Sequence, residues 1–389
     1  MCWPEAIGYC DELAVLGLPT PSNILPAEPF PQQLTIPTAD PFLTLPPPVD
    51  QLAFGSPQFN NQLLPIWPRW FAGASGLVMT RTLPTGHAVS SLPGAGVVLT
   101  TNNAAATWPG GVDLRVGRWL GASQQHAIEA EYWGIFNSGS TASVSSASDQ
   151  LTATPLAPGV QIAGSPANAF LHNAQQQSIS RNDLVNNIEI NWLFAPGGRP
   201  EFLTENDRRV SWMWLAGFRF FEVQNVLTMT SVAGTPPPGG ASDQLLLNVA
   251  INNNLYGGQV GGKFDWRFFP HVRLSIVPKM LLAGNSITNT SSMYNGSGTG
   301  ATFPNGTPVN VHSTAGTLAY LGSVDTSVAW DVTPCWSLWM GYRVVGVGNI
   351  AQSDQSWPNS VTSPASLSVI HTTGSTIVHG GFAGFEGRY

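Results

Sequence analysis

From Trp70 to the last residue, apolar and polar side chains alternate in runs separated by stretches rich in Gly, Pro, Ser and Asn. A period of two predicts a strand with two unlike faces. Ten runs are legible. The first, around 70–80, is weak and rich in Gly and Ala. The second, 111–121, sets Val112, Leu114 and Val116 against Asp113 and Arg115. The third, 126–136, sets Ile128, Tyr132 and Phe136 against Glu129 and Glu131. In the fourth, 184–194, Ile188, Ile190, Trp192 and Phe194 oppose Glu189. In the fifth, 210–221, Trp212, Trp214, Phe218 and Phe220 oppose Arg219. The sixth, 256–268, carries Tyr256, Val260, Phe264, Trp266 and Phe268 on one face and Lys263, Asp265 and Arg267 on the other. The seventh, 272–283, opposes Leu274, Ile276 and Met280 to Arg273 and Lys279. In the eighth, 318–332, Val324, Val328 and Trp330 face away from Asp325 and Asp331. In the ninth, 336–347, Trp336, Leu338, Met340 and Tyr342 face away from Arg343. The tenth, 375–389, separates Ile377, Phe385 and Tyr389 from Glu386 and Arg388.

The connections alternate in length. Long ones span roughly 81–110, 138–183, 222–255, 284–317 and 348–375; short ones lie near 122–125, 195–209, 269–271 and 333–335. Short turns at one end, long loops at the other and an even strand number are the pattern of bacterial outer-membrane barrels. The expected fold is therefore all-β: a closed antiparallel transmembrane β-barrel of about ten strands, within a range of 8–12. Segments 225–233 and 244–252 are candidate extra strands within the long loops, which would make about twelve. The weak first strand is expected to pair with the tenth and shut the ring. Trp192, Trp266, Trp330, Trp336 and Tyr389 fall near the short turns, where an aromatic girdle belongs.

Composition sharpens this picture. Charged residues are 10% of the 389, against about 25% in an ordinary soluble domain. No run approaches the roughly 20 apolar residues of a membrane helix. Strands that turn every second residue to lipid reconcile the two facts. Residues 1–66 are dense in Pro and read as an extended tether outside the barrel, on its periplasmic side, with the barrel occupying 67–389. The start, M-C-W-P-E-A-I-G-Y-C, has no basic n-region or long apolar stretch, so no signal peptide is visible.

The net charge of −7, with basic residues scattered, argues against nucleic acid as a partner. Cys2, Cys10 and Cys335 show no CxxC spacing, although a Cys2–Cys10 disulfide is compatible with an oxidising compartment. Gly257 to Lys263 fits G-x-x-x-x-G-K, but Phe264 stands where a phosphate-binding loop needs Ser or Thr, and no helix follows. The seven histidines have no metal-ligand spacing. Neither a cofactor nor a metal is expected, and no catalytic residue is nominated. Only a convergence of loop residues such as His87, His172 and His371 with loop acids would create a hydrolytic site.

The charges on the polar parity carry more weight. Asp113, Arg115, Glu129, Glu131, Glu189, Arg219, Lys263, Asp265, Arg267, Arg273, Lys279, Asp325, Asp331, Arg343, Glu386 and Arg388 would all face the lumen. A barrel of this size is barely wider than its own side chains, so such charges must pair or stay hydrated. A salt-bridge network that plugs the barrel is the first expectation, and a narrow polar conduit the second.

Several strand cores resemble an outer-membrane β-barrel family known from planctomycete bacteria. They are R-V-G-R-W-L-G (115–121), I-E-A-E-Y-W-G (128–134), N-N-I-E-I-N-W-L (186–193), W-L-A-G-F-R-F-F-E (214–222), N-N-L-Y-G-G-Q-V-G-G-K-F (253–264) and L-W-M-G-Y-R-V-V (338–345). The resemblance implies a bacterial outer-membrane barrel without an established activity, and it transfers no site residue. The expected role is structural, at the cell surface, or slow solute passage, without enzymatic chemistry. Its expected partners are outer-membrane lipid and the barrel-assembly machinery, met through the C-terminal strand ending in Tyr389. A secreted, soluble, lectin-like sandwich and a barrel-embedded hydrolase are the alternatives.

Overall fold

The computed structural model describes residues 69–121, 123–196, 209–237 and 242–389. The expected tether, with Cys2 and Cys10, lies outside the described residues. Ten antiparallel strands close into one ring. They are β1 Trp70–Arg81, β2 Gly110–Leu120, β3 His126–Ser145, β4 Ala174–Phe194, β5 Val210–Ala233, β6 Gln244–Phe269, β7 Val272–Asn295, β8 Asn310–Asp331, β9 Trp336–Ile350 and β10 Gly374–Arg388. Each pairs with its neighbours in sequence, and β1 pairs with β10 from Phe71 opposite Arg388 to Arg81 opposite Val378. That seam leaves no open edge, as a backbone in hydrocarbon requires.

The alternation becomes two faces of the wall. Outward stand Trp212, Trp214, Phe218, Val260, Trp266, Met280, Leu282, Trp330, Met340 and Phe385, each at least two-fifths exposed. On β5 this apolar belt runs from Val210 to Phe220. Ten residue steps at ~3.3 Å, tilted by ~40°, make a belt about 25 Å tall, the thickness of a barrel's apolar zone. Aromatic rings crowd its short-turn edge. Trp192 stacks with Phe194 at 6.0 Å between centroids and with His126 at 5.4 Å, and Trp336 meets Tyr389 edge-on at 6.4 Å.

The strands of one wall are far longer than the belt. β3 to β8 run 20–26 residues, whereas β1, β2, β9 and β10 run 11–15. At the same tilt the 26 residues of β6 reach about 60 Å along the axis. Segments 225–233 and 244–252 are therefore not extra strands: they are the upper halves of β5 and β6, and the count stays at ten. Much of the stretches 138–183, 222–255 and 284–317 is strand as well. The physical reason is an inversion of parity. In the lower half of β6, Tyr256, Val260, Phe264 and Trp266 face out; in the upper half, Leu245, Leu247, Val249 and Ile251 face in while Asn248, Asn252 and Asn254 take the outer face. Above the belt the outside is polar and the inside holds a core, so the apolar parity shifts by one and resembles a break.

The G-x-x-x-x-G-K string lies wholly within β6. A Cβ on Gly257 would overlap the backbone oxygen of Leu282, and one on Gly261 that of Pro278. These glycines let neighbouring strands approach closely, a demand unrelated to phosphate.

Candidate functional site in the barrel lumen

The inner parity lines the lumen in layers. Asp113, Glu131, Glu189, Arg219, Asp265, Arg273, Lys279, Arg343, Glu386 and Arg388 are buried; Arg115, Glu129, Lys263, Arg267, Asp325 and Asp331 face the same interior but are half-buried. Trp192, Trp266, Trp330, Trp336 and Tyr389 stand on the opposite, outer face, 44–61% exposed.

Two clusters organise the charges. In the upper one, Glu131 on β3 lies directly opposite Glu189 on β4. Lys279, from β7 across the lumen, places Nζ 2.8 Å from a carboxylate oxygen of each. Arg343 on β9 meets Asp113, Glu131 and Asp325, each at 2.9 Å, and lies over the rings of Trp133 and Phe382. Arg219 donates to Asn187 at 2.6 Å and stands 3.4 Å from Glu189, which also accepts from Gln259, Asn187 and Asn191. Paired and hydrogen-bonded in this way, buried charges are tolerable. In the lower cluster Glu386 receives Arg115 at 2.6 Å and Arg388 at 3.2 Å, with Arg273 at 3.7 Å. Asp331 takes Arg388 at 3.4 Å and Arg267 at 3.7 Å, and Lys263 stands 3.6 Å from Asp265. Glu129 is brought into neither cluster: it makes no hydrogen bond or ion pair among the described residues, although it lines the lumen.

Eight acids thus face eight bases, so the lumen presents no net field of one sign. Above them lies an apolar layer that includes Leu77, Trp133, Phe221, Leu255, Leu321 and Phe382. Higher still, Arg81 binds Asp183 at 2.6 and 3.0 Å, and Asn225 donates to the same carboxylate.

The loop 351–373 then crosses the interior as a strap. Asn253 donates to the Ala351 carbonyl and accepts its N–H, both at 2.8 Å. Asn225 accepts the Ser353 N–H at 2.9 Å, Asn289 donates to the Leu367 carbonyl at 2.8 Å, and the Ser313 hydroxyl donates to the Ser368 carbonyl at 2.9 Å. Arg181 grips Asp354 with both arms, at 2.8 and 2.7 Å, and donates to the carbonyls of Thr101 and Ala104. Trp357 and Leu367 of the strap join loop residues such as Val89 and Phe170 in one core with Leu227, Leu247 and Met293 of the tall wall.

Sequence reasoning missed this upper polar layer. Its acid, Asp354, lies in a loop without alternation, and Arg181 and Asp183 lie where the apolar parity has already shifted. The only advance signal was the run of inward asparagines Asn225, Asn253, Asn285 and Asn289, each buried. Of the loop histidines, none joins a group of three or more His, Cys, Asp or Glu able to hold a metal among the described residues.

Burial pushes the Asp354 carboxyl up, but the hydrogen bonds and charge of Arg181 outweigh it and hold the group below the usual carboxylate range. A depressed native pKa stabilises the strap above the unfolded value, about 3.9, and that contribution fades as pH falls through the native value. Amide exchange of residues 351–356 should therefore be slower in the native protein than in an Asp354→Asn variant at pH 5–7. The difference should shrink only below about pH 4; a constant difference down to pH 2 would contradict the assignment.

Comparison with known proteins follows the same lines. No curated protein matches the chain. Among solved structures, the outer membrane protease OmpT from Escherichia coli is similar at 10% identity, over 82% of this chain and 97% of that one, with a TM-score of 0.44. The P. putida toluene transporter TodX is similar at 8% identity, over 84% and 91%, at 0.27. A Pseudomonas aeruginosa FadL homologue is similar at 9%, over 83% and 90%, at 0.25. All three scores lie below 0.5, and these likenesses carry no argument about activity or ligand. The family model described as "Putative beta barrel porin-7 (BBP7)" matches residues 70–372, from the first residue of β1 to the end of the strap. A ring of ten strands, an outward apolar belt and that match agree: the chain belongs to the beta barrel porin-7 family of outer-membrane barrels.

Proposed function

We propose that this protein is an integral barrel of the outer membrane that is closed at rest and admits small solutes only when its strap leaves the lumen. The observation behind this reading is the strap itself. Its anchors are side chains of five wall strands, most of them neutral amides and hydroxyls that exchange partners with water at modest cost. The network beneath it is charge-balanced, which suits polar solutes of either sign better than selection for one.

The proposal includes lipid around the belt and short turns toward the periplasm. The barrel-assembly machinery would engage β10 with its terminal Tyr389. It assigns no enzymatic step. In a planar bilayer the native protein should show no steady conductance. Replacing residues 351–368 by a short Gly/Ser link should produce stable openings. A folded variant as silent as the native protein would remove the passage reading and leave a structural role at the cell surface.

A further inference from the structure

We propose that the short-turn half of the lumen is a binding site for a small zwitterion with an apolar arm, of the class of an aromatic α-amino acid. A cavity with room for several waters lies there, and Glu131, Lys279 and Arg343 of the upper charge cluster share its wall. Its wall residues stand near strand ends: Phe71 is the second residue of β1, Leu193 the last but one of β4 and Ser337 the second of β9. One side is apolar, formed by Phe71, Trp119, Leu193, Met213 and Leu215. Gly117 makes room for it, because a Cβ there would overlap the Phe71 ring.

Strands β2, β3 and β9 also bring polar groups into the cavity. Arg115 Nε, Arg343 Nη1 and Trp339 Nε1 are buried without a hydrogen-bond acceptor among the described residues, and all three residues line the cavity. Arg115 lies over the Trp339 ring at 4.3 Å, which holds the two donors together. A buried donor without an acceptor is destabilising, so three in one cavity is a state that a bound oxyanion relieves. Glu129 supplies the complement: it lines the same cavity and has no hydrogen bond or ion pair among the described residues. Donors for a carboxylate, an acceptor for an ammonium and an apolar wall are what a free amino acid with an apolar side chain satisfies at once. The site does not depend on movement of the strap, so it stands or falls apart from the passage reading.

The test uses the full chain in lipid nanodiscs and calorimetric titration with three probes. L-Phenylalanine carries both charges, 3-phenylpropanoate lacks the ammonium, and 2-phenylethylammonium lacks the carboxylate. Phenylalanine should bind saturably, and each truncated probe about tenfold or more weaker. Glu129→Gln should bring phenylalanine to the level of 3-phenylpropanoate and leave the latter unchanged. Trp339→Phe, which keeps the ring and deletes the donor, should weaken both carboxylates about tenfold and spare 2-phenylethylammonium. Met213→Trp, filling the apolar side, should abolish binding of all three. Retained heat-modifiable migration shows that each variant is folded. The proposal is overturned if folded native protein gives no saturable phenylalanine binding, if the three probes bind alike, or if Glu129→Gln and Trp339→Phe leave the ranking intact.

Discussion

Lys279→Met is expected to destabilise the barrel by about 3–5 kcal/mol. Lys279 is the shared cation of two carboxylates facing each other across the β3–β4 pair, at 2.8 Å from each, and all three side chains are at most 7% exposed. Removing it leaves Glu131 held by Arg343 and Glu189 by the more distant Arg219 at 3.4 Å, with their own repulsion uncompensated. Uncompensated buried charge is what makes half of a buried pair so costly to delete. The remedy follows from the same physics. In Glu189→Gln with Lys279→Met one carboxylate and the cation go together, and most of the loss should be recovered. Urea unfolding in detergent, read as a double-mutant cycle, measures the coupling. Additive losses would show that water rather than Lys279 balances the glutamates.

The lower barrel was legible because a membrane imposes one rule on every strand. All ten runs correspond to strands, and β2, β3, β4, β6 and β9 begin or end within a residue or two of the alternation that predicts them. The tether, the cysteine pair and the assembly partner were readings of another kind, on residues or contacts that these strands do not report. What the alternation hid was everything above the belt. There Leu245 to Ile251 face inward against loops, and the outer face turns to Asn, Ser and Thr, so the two-state code of apolar and polar residues reverses its meaning without any break in the backbone ladder. Within the lumen, inward charge was readable from parity, but partnership was not. Arg343 bonds Asp325 on its sequence neighbour β8 and also Asp113 and Glu131 across the ring. The latter two contacts exist only once the ring has closed. Glu129 and Glu131 look alike in sequence, two residues apart on one face, yet Glu131 is tied to two cations and Glu129 makes no ion pair among the described residues.

Gly384→Val is expected to prevent closure of the barrel while leaving the length and ending of the C-terminal strand intact. Gly384 lies between β9 and β1, opposite Trp339 on one side and Ser75 on the other. A Cβ at this position would overlap the backbone oxygen of Ala74, an atom that cannot rotate away. Relief requires β1 to withdraw from β10, and that pairing is the seam: β1 has β2 as its only other neighbour. An opened seam exposes unpaired N–H and C=O groups of two strands to hydrocarbon at several kcal/mol each, more than a marginally stable fold can lose. The variant should therefore reach vesicles without acquiring heat-modifiable migration or protease resistance. Gly381→Val, on the outward face of the same strand with no atom closer than 3.8 Å to its Cβ, should fold normally. The contrast separates closure of the seam from the mere addition of a valine to β10. Equal folding of the two would show that the seam can relax around Ala74 and that β1, the least patterned strand in the sequence, is not what completes the ring.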